Sequence, residues 1–325
     1  MFLNKWFVVF LIFLLSFLGI YFYNSLTDGF RIAHITHQLD FTPFWKTSNL
    51  SEHEKKSLKA ILDQKYTYLG KGAQSYAFVS ADHQYVLKFF KFKNFKPHFL
   101  VKLLPSLPPF NHYKQLYLQR KQKKLMSVFN GYDIAYQQNK LESGLIYLHL
   151  LPTNFLNYKV TLEDKMGIIH KVDLDSVAFL IQRKGETLGN HLTSLLEQGN
   201  QEKAKQAISK IFTMYMQEYQ KGIYDRDHSV IDNTGFIGEN PFHLDAGKLT
   251  RDDLIKQRKF YKKDLEQVAW KIDQWIKKKY PDYYYSISSY LANNYNEWIG
   301  EIFDPAKIDL NHYRKNRHVL NQAEE

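Results

Sequence analysis

The chain has 325 residues, of which 44% are hydrophobic and 16% aromatic, with a net charge of +11. That length can bury a full core as one large or two modest domains. Cysteine is absent, which excludes disulfides, cysteine nucleophiles and cysteine-ligated zinc. The excess of cations permits attraction to nucleic acid or to an anionic membrane without specifying either. Along the chain, the first feature is the 18-residue run Trp6–Tyr23, broken only by Ser16 and Gly19. It is long enough to span a bilayer with a small contribution from its flanks. A cleaved signal peptide is the alternative, but such segments end in small residues. Here the run ends in Tyr21, Phe22 and Tyr23, which suit a membrane interface. Residues 1–26 are therefore predicted to be an uncleaved single-pass anchor. Lys5 before the run and Arg31 beside Asp28 after it leave its orientation open.

Residues 27–65 read as a polar linker ending in a short helix over 51–62, with Ser51 and Glu54 as a capping box. Next comes YLGKGAQSYAFVSADHQYVLKFF (68–90), a glycine turn between two strand-like runs. Glycine lets backbone N–H groups approach phosphate oxygens because no Cβ intervenes. Ser75 is small enough to permit the same approach. Lys88 lies inside an apolar β run, where a cation needs a partner, and a phosphate would supply one. A plain hairpin with a solvent-facing lysine gives the same pattern. A Rossmann site would instead continue from its glycines directly into a helix.

From His83 to Tyr132 there are ten Lys or Arg and no acid. Lys91, Lys93, Lys96 and Lys102 alternate with phenylalanines at 89, 90, 92, 95 and 99. Such interleaving suits nucleic acid or an anionic lipid surface. Beside a membrane anchor the lipid surface is the more economical partner for block 88–124, and nucleic acid is not expected; a solvated helix-and-loop face is the plainer alternative. A helix is predicted over about 113–141, then strands over 144–151, 158–163, 167–172 and 177–182. Leu188–Leu196 begins a helical region. Apolar residues at 204, 207, 208, 211, 212, 215 and 219 make a helical stripe. It delivers the chain to KGIYDRDHSVIDNTGFIGENPFHLDAGK (221–248). Thr250–Gln257 reads as the entry to another helix, whose stripe runs from Leu265 to Ile276. The 13 histidines show no paired zinc spacing, so no structural metal is expected.

The segments 68–90 and 221–248, in this order, resemble the protein-kinase-like superfamily. Gly70, Gly72 and Ser75 stand where its glycine-rich loop has G-x-G-x-x-G, and Val86-Leu87-Lys88 where it has V-A-I-K. Arg226-Asp227 matches the end of H-R-D, Asn233 the metal-binding amide, and Asp245-Ala246-Gly247 matches D-F-G. The resemblance covers about residues 66–300. It implies an α+β, two-lobed protein-kinase-like fold, with a β-rich N-lobe (66–183), a mainly helical C-lobe (184–311) and a polar tail (312–325).

The implied roles are ATP phosphate contacts for Gly70, Gly72, Ser75 and Lys88, and a hinge at Gln182. Asp227 would be the catalytic base, and Asn233 and Asp245 would hold Mg²⁺. The implied reaction moves the γ-phosphoryl of ATP to a hydroxyl of a protein or small molecule, in an ATP-containing compartment.

The departures are specific. Asp225 replaces the histidine, and the spacing from Asp227 to Asn233 is one residue longer than in the pattern. Asp225, or less readily Asp232, competes for the base. Ala246 replaces the aromatic, Ser229 stands where Ser/Thr kinases have lysine, and no A-P-E follows. The acid expected to pair with Lys88 is Asp133 or Glu142. Three classes stay open: an atypical kinase, a small-molecule phosphotransferase of the aminoglycoside or choline type, and a pseudokinase acting as a nucleotide-binding or scaffold module. An ordinary acidic loop of turn residues accounts for the aspartates alone.

Overall fold

The computed structural model describes residues 5–37, 45, 50–105 and 107–308. The tail 312–325 lies outside them. The chain is mixed α/β and divides into two compact units, 1–124 with 147–182, and 125–146 with 183–325.

The first unit opens with α1 (Lys5–Leu26), a 22-residue helix with mean hydropathy 2.3 and no buried residue. It is long and apolar enough to cross a membrane, a property that signal sequences and buried helices share. The segment after it, expected as a linker, is packed. Phe30 and Ile35, the latter in α2 (Ile32–Ile35), are buried. The Phe30 ring stands edge-on to Tyr76 at 5.3 Å and to Phe78 at 5.1 Å. α3 (Glu52–Leu62) has the expected capping box between Ser51 and Glu54.

Seven strands form a mixed sheet. They are β1 (Lys65–Lys71), β2 (Ser75–Ser80), β3 (Tyr85–Phe90), β4 (Leu145–His149), β5 (Lys159–Glu163), β6 (Ile169–Asp173) and β7 (Phe179–Arg183), in the order β4-β7-β3-β2-β1-β5-β6. β1 pairs antiparallel with β2 and parallel with β5. The inward residues are heavily aromatic: Tyr66, Tyr76, Phe78, Phe89 and Phe179 are fully buried. Short helices α4 (Phe92–Phe95) and α5 (Phe99–Leu103) follow β3.

The 29-residue α6 (Phe110–Gln138) runs from the first unit into the second. There α7 (Lys140–Ser143) leads to β4. β8 (Glu186–Thr187) and α8 (Leu188–Glu197) precede the long α9 (Gln201–Lys221). The apolar stripe read from the sequence is the buried face of α9. Gly222 ends it with φ +75°, a left-handed cap that glycine tolerates without strain. Then come β9 (Ile223–Asp225), α10 (Val230–Asn233), β10 (Thr234–Ile237), β11 (Asn240–His243) and β12 (Leu249–Arg251).

β12 pairs with β9, so Thr250 and Arg251 are strand. A 3₁₀ turn over Asp253–Lys256, capped by Asp252, separates them from α11 (Arg258–Lys279). The helix entry expected at Thr250–Gln257 is thus displaced, because the backbone of 249–251 is taken by β9. α12 (Pro281–Ile299) closes the unit. Its core joins Leu192, Ile208, Phe212, Val268, Ile272 and Leu291.

Candidate functional site

In the first unit, Gly70 is the last residue but one of β1, Gly72 lies in the turn and Ser75 starts β2. A Cβ built on Gly70 meets nothing within 4 Å, and on Gly72 only the Ser75 hydroxyl at 3.8 Å. Neither residue has a positive φ. Packing and backbone geometry do not demand glycine at either position, and the face above them is open.

The turn is held from below. Gly72 N–H donates to the Ser75 carbonyl at 3.0 Å, and Lys91 N–H to the Gln74 carbonyl at 2.8 Å. The Asn94 amide donates to the Ala73 carbonyl at 2.7 Å, and Lys91 Nζ to the Gly72 carbonyl. Lys91 is buried, with its ammonium 4.4 Å from the Tyr76 ring centre. Burial, helped by Lys93 and Lys71, pushes it down to about 8. This corrects the sequence reading of Lys91 as part of a lipid-facing block. Lys121 is also used internally, donating to the Asn94 carbonyl at 2.9 Å. Lys88 is half-buried on β3 opposite Ala77, and Gln182 is buried on β7.

The second unit gathers the acidic residues. Asp225, at the end of β9, is buried, and its Oδ1 accepts the Asp227 N–H at 2.9 Å. Asp227 itself is exposed. Its Oδ2 accepts from the Asn233 amide at 3.2 Å, and its Oδ1 from the Ser229 hydroxyl at 3.1 Å. The Asn233 carbonyl receives N–H bonds from Leu244 at 2.8 Å and Asp245 at 3.4 Å. Asp245 Oδ1 accepts from Tyr132 Oη at 2.9 Å and from Gly247 N at 3.0 Å. Asp225, Asp227, Asn233 and Asp245 are therefore tied into one hydrogen-bonded cluster. Asp232 is exposed in the first turn of α10 and outside it.

α6 approaches this cluster closely because residue 131 is glycine. A Cβ there would stand 2.7 Å from the Ala246 carbonyl oxygen and from Gly247 C. Arg226 donates to the Ser127 hydroxyl on the same helix at 2.6 Å. Lys271, on α11, is pushed down by burial while Asp227 and Asp225 pull it up. Burial outweighs them, and the net shift is downward.

A buried polar network lies beneath. Glu218 and His243 are both fully buried, with His243 Nε2 at 2.9 Å and 3.0 Å from the two carboxylate oxygens. The Asn139 amide donates to Glu218 at 2.6 Å. Burial disfavours the imidazolium, yet Glu218 and then Asp225 lift His243 to about 9. Burial pushes Asp225 up to about 6, and the His243 charge restrains it. Nearby, Asp264 joins His228 and Tyr219, each at 2.6 Å. Sequence reading missed Glu218, His243, Asn139, Tyr132 and Gly131. Only His243, two residues before Asp245, carried a local signal. Glu142 is paired with Lys221 at 2.5 Å inside this unit. Asp133 is half-buried on α6, and burial raises its carboxyl.

Two side-chain oxygens carry no hydrogen bond among the described residues. The Asn233 amide nitrogen is turned to Asp227, which leaves its oxygen, and the Asp245 bonds fall on Oδ1, which leaves Oδ2. One carboxylate and one amide oxygen suit Mg²⁺, which keeps water or phosphate in its other positions.

No family model matches the chain, and no curated protein matches it. Solved structures do, among them two of one protein. One is a medium-resolution structure of the bifunctional kinase-methyltransferase WbdD, 11% identical, with a TM-score of 0.34, covering 79% of this chain and 51% of that one. The other is a 2.2 Å crystal structure of WbdD, 11% identical, with a TM-score of 0.31, covering 78% and 49%. The chain spans about half the length of these proteins.

Proposed function

We propose that this chain is a membrane-anchored, ATP-dependent phosphotransferase of protein-kinase-like fold, acting on a hydroxyl of a protein or small molecule. The observation that carries the reading is the cluster of Asp225, Asp227, Asn233 and Asp245. Within the single stretch 225–245 it joins a solvent-facing carboxylate, Asp227, to an amide and a second carboxylate. In this reading the 70–75 turn offers backbone N–H groups to ATP phosphates, Lys88 offers a cation, and Gln182 lies at the hinge. Asn233 and Asp245 would hold Mg²⁺, which neutralises phosphate charge. Asp227 accepts the proton of the acceptor hydroxyl. The acceptor oxygen bonds to Pγ, the bond from Pγ to the bridging oxygen breaks, and ADP leaves. α1 is the membrane anchor.

A second reading, a nucleotide-binding or scaffold module without transfer, is favoured by Ala246 in place of an aromatic and by Glu142 being engaged by Lys221. Asp227→Asn separates the two. A base acts on the chemical step, so turnover should fall by about 10²–10⁴-fold while nucleotide affinity survives. Full turnover by D227N with its loss in D225N moves the role to Asp225. A parent that binds ATP and turns over none supports the scaffold.

A further inference from the structure

We propose that the cleft at the foot of α1 binds the phosphate of an anionic phospholipid headgroup. The cleft is open, of about 470 Å³, and its walls include Ile20 and Asn24 from the last turns of α1 together with Arg31, Lys71 and Lys93. Three cations therefore face one space, with Asp28 as the carboxylate among its walls. Asp28 is shared: Lys71 Nζ lies 3.0 Å from one of its oxygens and Lys165 Nζ 3.2 Å from the other. Tyr68 Oη donates to it as well, at 3.1 Å. One carboxylate thus serves two lysines, and Arg31 and Lys93 are left without an acid among the described contacts. Arg31 instead donates to the Asn24 side chain at 3.2 Å and lies 5.3 Å from the Tyr23 ring centre, both on α1.

The surrounding titrations carry the imprint of this excess. After burial, the charges of Lys71 and Arg31 hold Lys93 down. Burial lowers His34, and Lys93, Arg31 and Lys96 press it further. The Lys71 bond leads the causes that depress Asp28. An anion placed here would relieve the repulsion among the cations.

Position argues for a lipid. The 22 residues of α1 rise about 33 Å at 1.5 Å each, which matches the hydrocarbon core. If α1 spans, its last turns lie at headgroup depth, and the cleft they wall opens there. Ile20 gives that wall an apolar side suited to the glycerol and upper acyl region. The cleft is also fixed to the folded unit. Tyr76 Oη donates to the Gly29 carbonyl at 2.6 Å, and Phe30 is buried against the sheet. This places lipid contact at Arg31, Lys71 and Lys93 rather than along the whole 88–124 block, part of which is turned inward.

The test uses the full chain in neutral detergent micelles, titrated with dioctanoyl phosphatidylglycerol, dioctanoyl phosphatidylcholine or inorganic phosphate, with bound adducts counted by native mass spectrometry. The parent should bind phosphatidylglycerol at least about tenfold more tightly than phosphatidylcholine, as a few cations near an anionic surface provide. Inorganic phosphate should compete only weakly. R31Q/K93Q should lose the preference, while K203Q/K278Q, an equal charge loss on the second unit, should keep it. Asp28→Asn should strengthen it, because Lys71 and Lys165 are released; asparagine also tolerates the positive φ of 53° there. A gain in D28N is not a result that damage to the fold produces. Equal binding of the two lipids by the parent, a preference that survives R31Q/K93Q, or a D28N variant no tighter than the parent each overturns the proposal. Inorganic phosphate as tight as phosphatidylglycerol assigns the cleft to a soluble anion and overturns it too.

Discussion

The Glu218–His243 pair provides a test of the second unit that needs no substrate. Both side chains are fully buried, and Glu218 is further bonded to Asn139. His243→Leu strands a buried carboxylate with Asn139 alone, which should cost about 3–5 kcal/mol. The neutral exchange E218Q/H243Q keeps polar groups in place and should cost much less, on the order of 1 kcal/mol. The pH dependence follows from the folded-state shift. His243 rises from 6.5 to about 9, a preference worth about 3 kcal/mol for the charged form. Its folded value lies above its unfolded one, so the stabilisation is complete below pH 6.5 and is lost as pH rises through about 9.

Two other groups titrate nearby. Asp225, lifted from 3.8 to about 6 by burial, favours the fold when protonated; that contribution is lost as pH rises through about 6, below the window. Lys91, depressed from 10.5 to about 8, acts in the opposite sense, adding stability between those values. The measured quantity is therefore the difference between parent and E218Q/H243Q, in which Lys91 cancels. Urea titrations read by tryptophan fluorescence suit it, since Trp270, Trp275 and Trp298 lie on α11 and α12. The stability of the parent relative to the double variant should fall by about 3 kcal/mol from pH 6.5 to 10, which reverses the sign of the difference. A flat difference, or a double variant as unstable as H243L, would refute the assignment of a buried ion pair.

Lys88→Ala should weaken ATP binding by about 10–100-fold, the worth of a hydrogen bond to a charged group; isothermal titration with ATP reads it, and an unchanged affinity removes Lys88 from the phosphates. Asp245→Asn should abolish the Mg²⁺ dependence of nucleotide binding while still accepting from Tyr132. A D245N titration that keeps its Mg²⁺ dependence moves the metal elsewhere. Gly131→Ala gains about 1 kcal/mol of helix propensity, but its Cβ meets backbone at 2.7 Å, and overpacking costs about 1–3 kcal/mol. The clash should win, so G131A should melt at a lower temperature than the parent, and an unchanged or higher midpoint contradicts the close approach of α6 to Ala246.

What was legible in the sequence was local. The apolar run of α1, the Ser51–Glu54 box and the stripe of α9 each follow from spacing within a few turns, and the structure forms all three. What was illegible depended on distant partners. Lys91 stands in a run of cations and reads as a lipid-facing or solvated charge, until the Gly72 carbonyl, 19 residues away, receives it. Glu142 reads as a possible partner for Lys88 and is instead taken by Lys221, 79 residues on. Thr250 and Arg251 read as helix because nothing nearby announces that β9 will pair with them.

The same distinction bears on the departures from the kinase pattern. Taken alone, Asp225 in place of a histidine looks like a loss, and His243 looks unrelated to it. In the structure both are buried, and each is the other's electrostatic neighbour: the His243 charge restrains Asp225, and Asp225 helps raise His243. A buried carboxylate without such a cation would tend to protonate, and the acceptor for the Asp227 N–H would weaken. With the cation present, Asp225 remains a charged acceptor above pH 6 and keeps Asp227 in place. His243 therefore compensates for the departure at 225, which supports a maintained site more than an eroded one. Within the proposed phosphotransfer, the part of a histidine in ordering the loop passes to Asp225, with Glu218 and His243 behind it.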